Sequence, residues 1–176
     1  MVELAGKTLG IIGLGAIGKQ TAKVAKAMNM HVIAHTPHPD ADWEGFVDFV
    51  SLDDLLKNSD VIVLHCLLKS ENAQLINAEN IAKMKDGVMI VNNARGGLIN
   101  EADLADALNS DKVKAAALDV VSTEPIDPDN PLLKAKNCFI TPHISWTSIE
   151  CRKRIMEITE KNIAAFIEGN PINVVS

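Results

Sequence analysis

Residues 8–19 read Thr-Leu-Gly-Ile-Ile-Gly-Leu-Gly-Ala-Ile-Gly-Lys, an apolar run that enters a glycine pattern and leaves as an amphipathic helix. Residues 9–12 suit a buried parallel strand, and Gly13, Gly15 and Gly18 follow in the spacing G-x-G-x-x-G. In that spacing the first glycine permits a tight turn. The second lets a pyrophosphate approach the backbone, and the third lets the helix sit close to the strand. Free N–H groups at the helix start, around Ala16 and Ile17, then face the phosphates of a dinucleotide. Such a turn also occurs for packing alone, and S-adenosylmethionine is another nucleotide that glycine-rich turns hold. The remaining segments therefore carry the decision.

Beyond the turn, Ile17, Thr21, Val24, Ala25 and Met28 recur at helical spacing, with Lys19, Lys23 and Lys26 on the other face. His31–His35 reads as the second strand and completes a β-α-β unit. At its end the dinucleotide fingerprint expects an Asp or Glu for the adenosine ribose, and Thr36 stands there instead. Thr36 offers a hydroxyl without the repulsion a carboxylate exerts on a 2′-phosphate. Neither Arg nor Lys follows, only His35 and His38, so the expected cofactor is NAD, with NADP not excluded. Residues 37–45 read as a loop, residues 47–50 as a short strand, and Ser51 caps a short helix. Residues 60–65 form a buried strand whose end, with Cys66, faces the adenine side. Asp60 orders the entry to that strand. Asn77 caps a helix through Met84, residues 88–92 make a strand, residues 100–109 a helix, and residues 113–118 and 138–141 two more strands. A helix over 148–168 is stopped by Gly169-Asn170-Pro171. Hydrophobic strands alternating with helices throughout predict an α/β fold, a doubly wound parallel sheet (Rossmann-type) covered on both faces.

The 176 residues amount to one domain, 1–176. A net charge of −6, with no basic run longer than Arg152-Lys153-Arg154, points away from nucleic acid and from anionic membranes. Cys66, Cys138 and Cys151 are odd in number and widely spaced, so reduced packing thiols are expected, with neither disulfides nor a metal site. No apolar run approaches the roughly 18 residues of a membrane span, and Met1-Val2-Glu3 leads directly into the first strand. A cytoplasmic location is expected. His31, His35 and His38 read as structural or solvent-facing, and His65 alone as a possible lining of the cofactor. Trp146 is open between shaping substrate access and a dimer contact.

Three further segments lie just past strands: Val91-Asn92-Asn93-Ala94-Arg95-Gly96-Gly97-Leu98-Ile99-Asn100-Glu101, Leu118-Asp119-Val120-Val121-Ser122-Thr123-Glu124-Pro125, and Ile140-Thr141-Pro142-His143-Ile144-Ser145-Trp146. Together with the glycine turn they closely resemble the nicotinamide cofactor-binding domain of the D-isomer-specific 2-hydroxyacid dehydrogenases, most of all the glycerate dehydrogenase or hydroxypyruvate reductase branch. The resemblance implies an oxidoreductase that moves a hydride between NAD(H) and a small 2-hydroxy or 2-oxo acid. It implies that Arg95 binds the substrate carboxylate and polarises the 2-oxo group, that His143 is the acid/base, and that Glu124 pairs with His143. Asp119 resembles the residue near the nicotinamide carboxamide, and Ala94, Arg95 and His143 also border the cofactor. The chemistry agrees with the residue types. The proton donor for a 2-oxo group should titrate near neutrality, a carboxylate favours its imidazolium, and a guanidinium suits a carboxylate substrate.

The chain departs from the family pattern at Leu67, where proline is usual, and at Asn93, where a small residue is common. Family members also carry an N-terminal substrate-binding segment that is expected to be absent from this chain. An isolated cofactor-binding domain of weak or no activity, dimerising through that domain, is therefore the expectation. The alternative is an NAD(H)-sensing or scaffold module of corepressor type that acts through partner binding.

Overall fold

Apolar residues that face both sides of a strand, rather than alternate with polar ones, require cover on both faces, and β1 (Thr8–Ile12), an inner strand of the sheet, meets that requirement through Leu9, Ile11 and Ile12. Leu9 and Ile11 point into one apolar cluster with Ala22, Ala25, Val32 and Ala34, whereas Ile12 points into the other with Leu55, Leu56 and Leu64. The computed structural model describes residues 3–175; Met1 and Val2 of the expected lead-in lie outside the described residues. It divides into two compact units, Met1–Pro142 and His143–Ser176.

In the first unit β1 is flanked by β2 (His31–His35) and β4 (Val61–Leu64), both parallel to it. With β3 (Asp48–Phe49), β5 (Val88–Asn92), β6 (Val113–Leu118) and β7 (Cys138–Ile140), the seven strands lie in the order β3-β2-β1-β4-β5-β6-β7, all parallel. The order reverses between β1 and β4. Ligands of open α/β sheets gather at such a reversal, beyond the carboxyl ends of the strands. Helix α1 (Ala16–Ala27) supplies Ala22 and Ala25 to the cluster on one face. Helices α2 (Leu52–Asn58), α3 (Ala78–Lys83) and α4 (Glu101–Asn109) supply Leu55, Leu56, Ile81, Leu104 and Leu108 to the larger cluster on the other.

The caps expected at Ser51 and Asn77 form, and Asn100 caps α4 as well. Ser51 Oγ accepts the Asp54 N–H at 3.1 Å, Asn77 Oδ1 that of Asn80 at 3.0 Å, and Asn100 Oδ1 that of Asp103 at 3.1 Å. Each satisfies an amide that the helix itself cannot. Asp60 accepts the Thr8 N–H at 2.8 Å and pairs with Lys85 at 3.1 Å, which ties the entry of β4 to β1. Burial alone would raise its carboxyl, but the Thr8 amide and Lys85 together hold it below the ordinary value. Three strands are shorter than the sequence predicts, β3, β4 and β7. The loop over 37–45 contains a 3-10 turn at Ala41–Trp43, begun by Asp40, whose carboxylate accepts the Asp42 N–H at 3.1 Å.

The second unit is built on α5 (Ile149–Ile167), capped by Ser148, whose Oγ accepts the Cys151 N–H at 3.2 Å. Gly169, with φ +78°, ends it in the left-handed conformation that glycine takes without strain. Ile149, Met156, Phe166 and Ile167 are exposed along this helix.

Candidate functional site

The three glycines of the turn are required for three different reasons. Gly13 has φ +97°, and a Cβ there would stand 2.6 Å from the Cys66 nitrogen and 2.7 Å from the His65 carbonyl, so the turn is pressed on the end of β4. A Cβ on Gly18 would lie 2.3 Å from the Gly13 oxygen, which brings α1 close to the turn. Gly15 meets nothing within 4 Å and is exposed. It is the N-cap of α1 and provides no side-chain cap, and the first turn of the helix carries no acid. The amides around Ala16 and Ile17 thus form an open cradle at the positive end of a helix, which suits an anionic pyrophosphate.

Two strand ends frame the turn. The Gly13 N–H donates to the His35 carbonyl at 2.9 Å and the His65 N–H to the Ile12 carbonyl at 2.8 Å. Thr36 follows β2 and is half-buried; Cys66 follows β4 and is half-buried, its thiol pushed up by burial. The His65 ring lies 2.9 Å from Thr21 Oγ1 on α1, and burial pushes its pKa below the ordinary value. The ring is therefore engaged with α1. The close approach of Gly13 to β4 and of Gly18 to Gly13, with the Thr21 contact to His65, makes a closed circuit that fixes the turn.

Arg95 stands on the loop after β5. Asn92, fully buried at the end of that strand, controls this loop: its Oδ1 accepts the Ala94 N–H at 3.0 Å and its Nδ2 donates to the Arg95 carbonyl at 2.9 Å. The Arg95 guanidinium is exposed and donates to the Ala94 carbonyl at 2.7 Å. Asp119, buried after β6, donates its N–H to the Asn92 carbonyl at 2.8 Å, and its carboxylate accepts the Thr141 hydroxyl. Gly96 abuts the backbone of the next loop so tightly that a Cβ would sit 2.1 Å from the Val121 oxygen. That second loop carries Glu124, which is exposed and accepts the Val121 N–H at 3.4 Å. Glu101 holds it from α4, accepting from the Ser122 N–H at 2.7 Å, the Ser122 hydroxyl at 2.8 Å and Asn130 Nδ2 at 2.8 Å. The loops of Arg95 and Glu124 are thus locked together at the carboxyl edge of the sheet.

The residues that do this locking, Asn92 and Glu101, were missed in the sequence. A single polar residue ending the apolar run V-M-I-V-N was a usable signal for Asn92. Nothing separated Glu101 from an ordinary acid in a helix's first turn. His143 opens the second unit, exposed, with φ +55°, in the left-handed region that a non-glycine residue enters only under constraint. In the same unit the Arg152 guanidinium lies 5.9 Å from the centroid of the Trp146 ring. Among the described residues no group of His, Cys, Asp or Glu is arranged to hold a metal ion, and the three cysteines are free thiols.

Known proteins resemble this chain in sequence and in fold. Residues 1–145 match the family model described as the D-isomer specific 2-hydroxyacid dehydrogenase, NAD binding domain. A hydroxypyruvate reductase of Blautia hydrogenotrophica is 57% identical over 100% of this chain and 55% of its own length. A glycerate dehydrogenase of Methylorubrum extorquens is 42% identical over 98% of this chain and 54% of its own. Among solved structures, a D-lactate dehydrogenase with NAD+ from Lactobacillus jensenii superposes with a TM-score of 0.92 at 29% identity, covering 99% of this chain and 57% of that one. The chain spans about half the length of the curated relatives it matches.

Proposed function

The chain belongs to the D-isomer specific 2-hydroxyacid dehydrogenase family, and from that premise we propose that it is the NAD-binding, catalytic-residue-bearing part of an oxidoreductase acting on a small 2-oxo or 2-hydroxy acid. Glycerate and hydroxypyruvate are the favoured pair, from the names of its relatives. The observation that carries the reading is the open glycine cradle at the switch point: Gly13 and Gly18 are filled by the fold, and Gly15 is left free for a ligand. A bound dinucleotide supplies or accepts the hydride.

The chain's own residues do the rest. Backbone amides at Gly15, Ala16 and Ile17 bind the pyrophosphate, Thr36 meets the adenosine ribose, and Cys66, Ala94 and Asp119 border the nucleoside ends. Arg95 binds the substrate carboxylate and polarises the 2-oxo group, where its planar fork and permanent charge match the ligand. His143 gives a proton to the 2-oxygen in reduction and takes it back in oxidation, and Glu124 is the carboxylate that steadies its imidazolium. The buried Asn92 clamp and the Glu101 clasp support these roles, because a charged group held by its loop loses less entropy when it meets its ligand.

The 176-residue chain is expected to bind NADH through the cradle at the start of α1. It acts in the cytoplasm as a homodimer, and exposed apolar side chains such as Phe139 favour association. Calorimetric titration with NADH, NADPH and S-adenosylmethionine tests the reading. NADH should bind; heat from S-adenosylmethionine alone would overturn it. A sedimentation mass near 19 kDa across micromolar concentrations would refute the dimer.

A further inference from the structure

One cluster beside the cradle has no part in the reading above. Lys19 lies in the first turn of α1, its N–H donating to the Gly15 carbonyl at 2.9 Å, and its ammonium is hydrogen-bonded and ion-paired with Asp40. Asp40 stands four residues past Thr36, on the loop that leaves β2. Trp43 brings the same loop down on α1, with the Lys19 and Lys23 ammonium groups 5.2 Å and 5.7 Å from its ring centroid, and meets Phe46 edge-on at 5.1 Å. The Lys19–Asp40 pair therefore joins the helix that starts at the cradle to the loop past the end of β2. In a doubly wound fold the pyrophosphate sits at the start of this helix and the adenosine 2′ position beside the end of the second strand, from which this loop leaves.

We propose that Asp40 sets the preference for NAD over NADP, a carboxylate moved from the strand end to the loop that occupies Lys19 and denies it to a 2′-phosphate. The inference rests on the dinucleotide reading above. With Thr36 at the strand end, no carboxylate there repels a phosphate, and a free lysine beside the cradle would attract one as a point charge. Paired with Asp40, the lysine is neutralised, and an incoming phosphate meets a carboxylate, a like-charge contact that disfavours the wrong ligand. The Lys19 hydrogen bond, with that of the Asp42 amide, holds the Asp40 carboxyl below its ordinary value, so the pair stays ionic at neutral pH. The plain alternative is that the ion pair only fastens the loop to α1. A fastening would affect both dinucleotides alike.

The test titrates the wild-type chain, Asp40→Asn, and Asp40→Asn combined with Lys19→Met with NADH and NADPH at low salt. The wild type should bind NADH more tightly. Asp40→Asn should raise NADPH affinity about tenfold and leave NADH within about twofold, the scale of one charge pair near a protein surface. Adding Lys19→Met should abolish the gain. An unchanged NADH/NADPH ratio in Asp40→Asn, equal weakening of both, or a gain that survives Lys19→Met overturns the proposal while leaving the dinucleotide reading intact. Wild-type chain that binds neither dinucleotide overturns the reading itself, and this inference with it.

Discussion

Two alanine substitutions one helical turn apart should separate folding from binding. Gly15 has φ −78° and ψ −163°, extended backbone that alanine adopts, and its Cβ would enter open space. Gly15→Ala should therefore leave the fold as stable as the wild type or firmer by about 0.4–1 kcal/mol, because alanine narrows the unfolded ensemble. The same methyl stands where a pyrophosphate must reach the amides. Charge-assisted hydrogen bonds are worth about 1.5–3 kcal/mol each, so loss of one weakens NADH roughly 10- to 100-fold. Gly18→Ala is the opposite case. Its Cβ would lie 2.3 Å from the Gly13 oxygen, so α1 must recede by about 1 Å, at the roughly 1–3 kcal/mol typical of overpacking. Urea unfolding followed by tryptophan fluorescence gives the stabilities, and calorimetry with NADH gives the affinities. NADH binding by Gly15→Ala at wild-type strength would refute the cradle, and unfolding of Gly15→Ala to the same degree as Gly18→Ala would refute the division of roles.

Asn92→Ala should cost about 2–4 kcal/mol in urea unfolding, since it removes two hydrogen bonds made by a fully buried side chain and leaves a void in its place; a loss under about 1 kcal/mol would contradict the clamp. His65 has a folded pKa below its ordinary 6.5 because burial disfavours the imidazolium, so the unfolded state binds more protons in acid. Its contribution is complete above that ordinary value and is lost as pH falls through it toward the folded one. Urea midpoints at about pH 7.5 and 5.5 should differ less in His65→Gln than in the wild type. Burial pushes the Cys138 thiol up to about 11, so mass-spectrometric iodoacetamide labelling near pH 8 should be far slower at Cys138 than in the unfolded chain.

The sequence made the framework legible because the strongest signals were local. The bounds of β2, β5 and β6 follow from apolar runs closed by turn residues, and the caps at Ser51 and Asn77 from their side chains. Gly13 shows where such reasoning stops. The motif explains its turn, whereas its pressure on Cys66 depends on β4 lying beside β1, a contact between residues far apart in the chain. Asn92, Glu101 and Asp40 escaped for the same reason. Each looks like a strand end, a helix start or a loop acid until pairing brings its partner alongside. The 3-10 turns at Ser70–Asn72, Gly96–Leu98 and Pro131–Lys134 are too short to impose a period on the sequence.

The central claim is that the amides at the start of α1 hold a dinucleotide pyrophosphate. Backbone amide resonances of the wild-type chain followed during NADH titration address it directly. The largest shifts are expected at Gly15, Ala16 and Ile17, with a second group at Thr36. Saturable NADH binding that leaves those amides unmoved would contradict it.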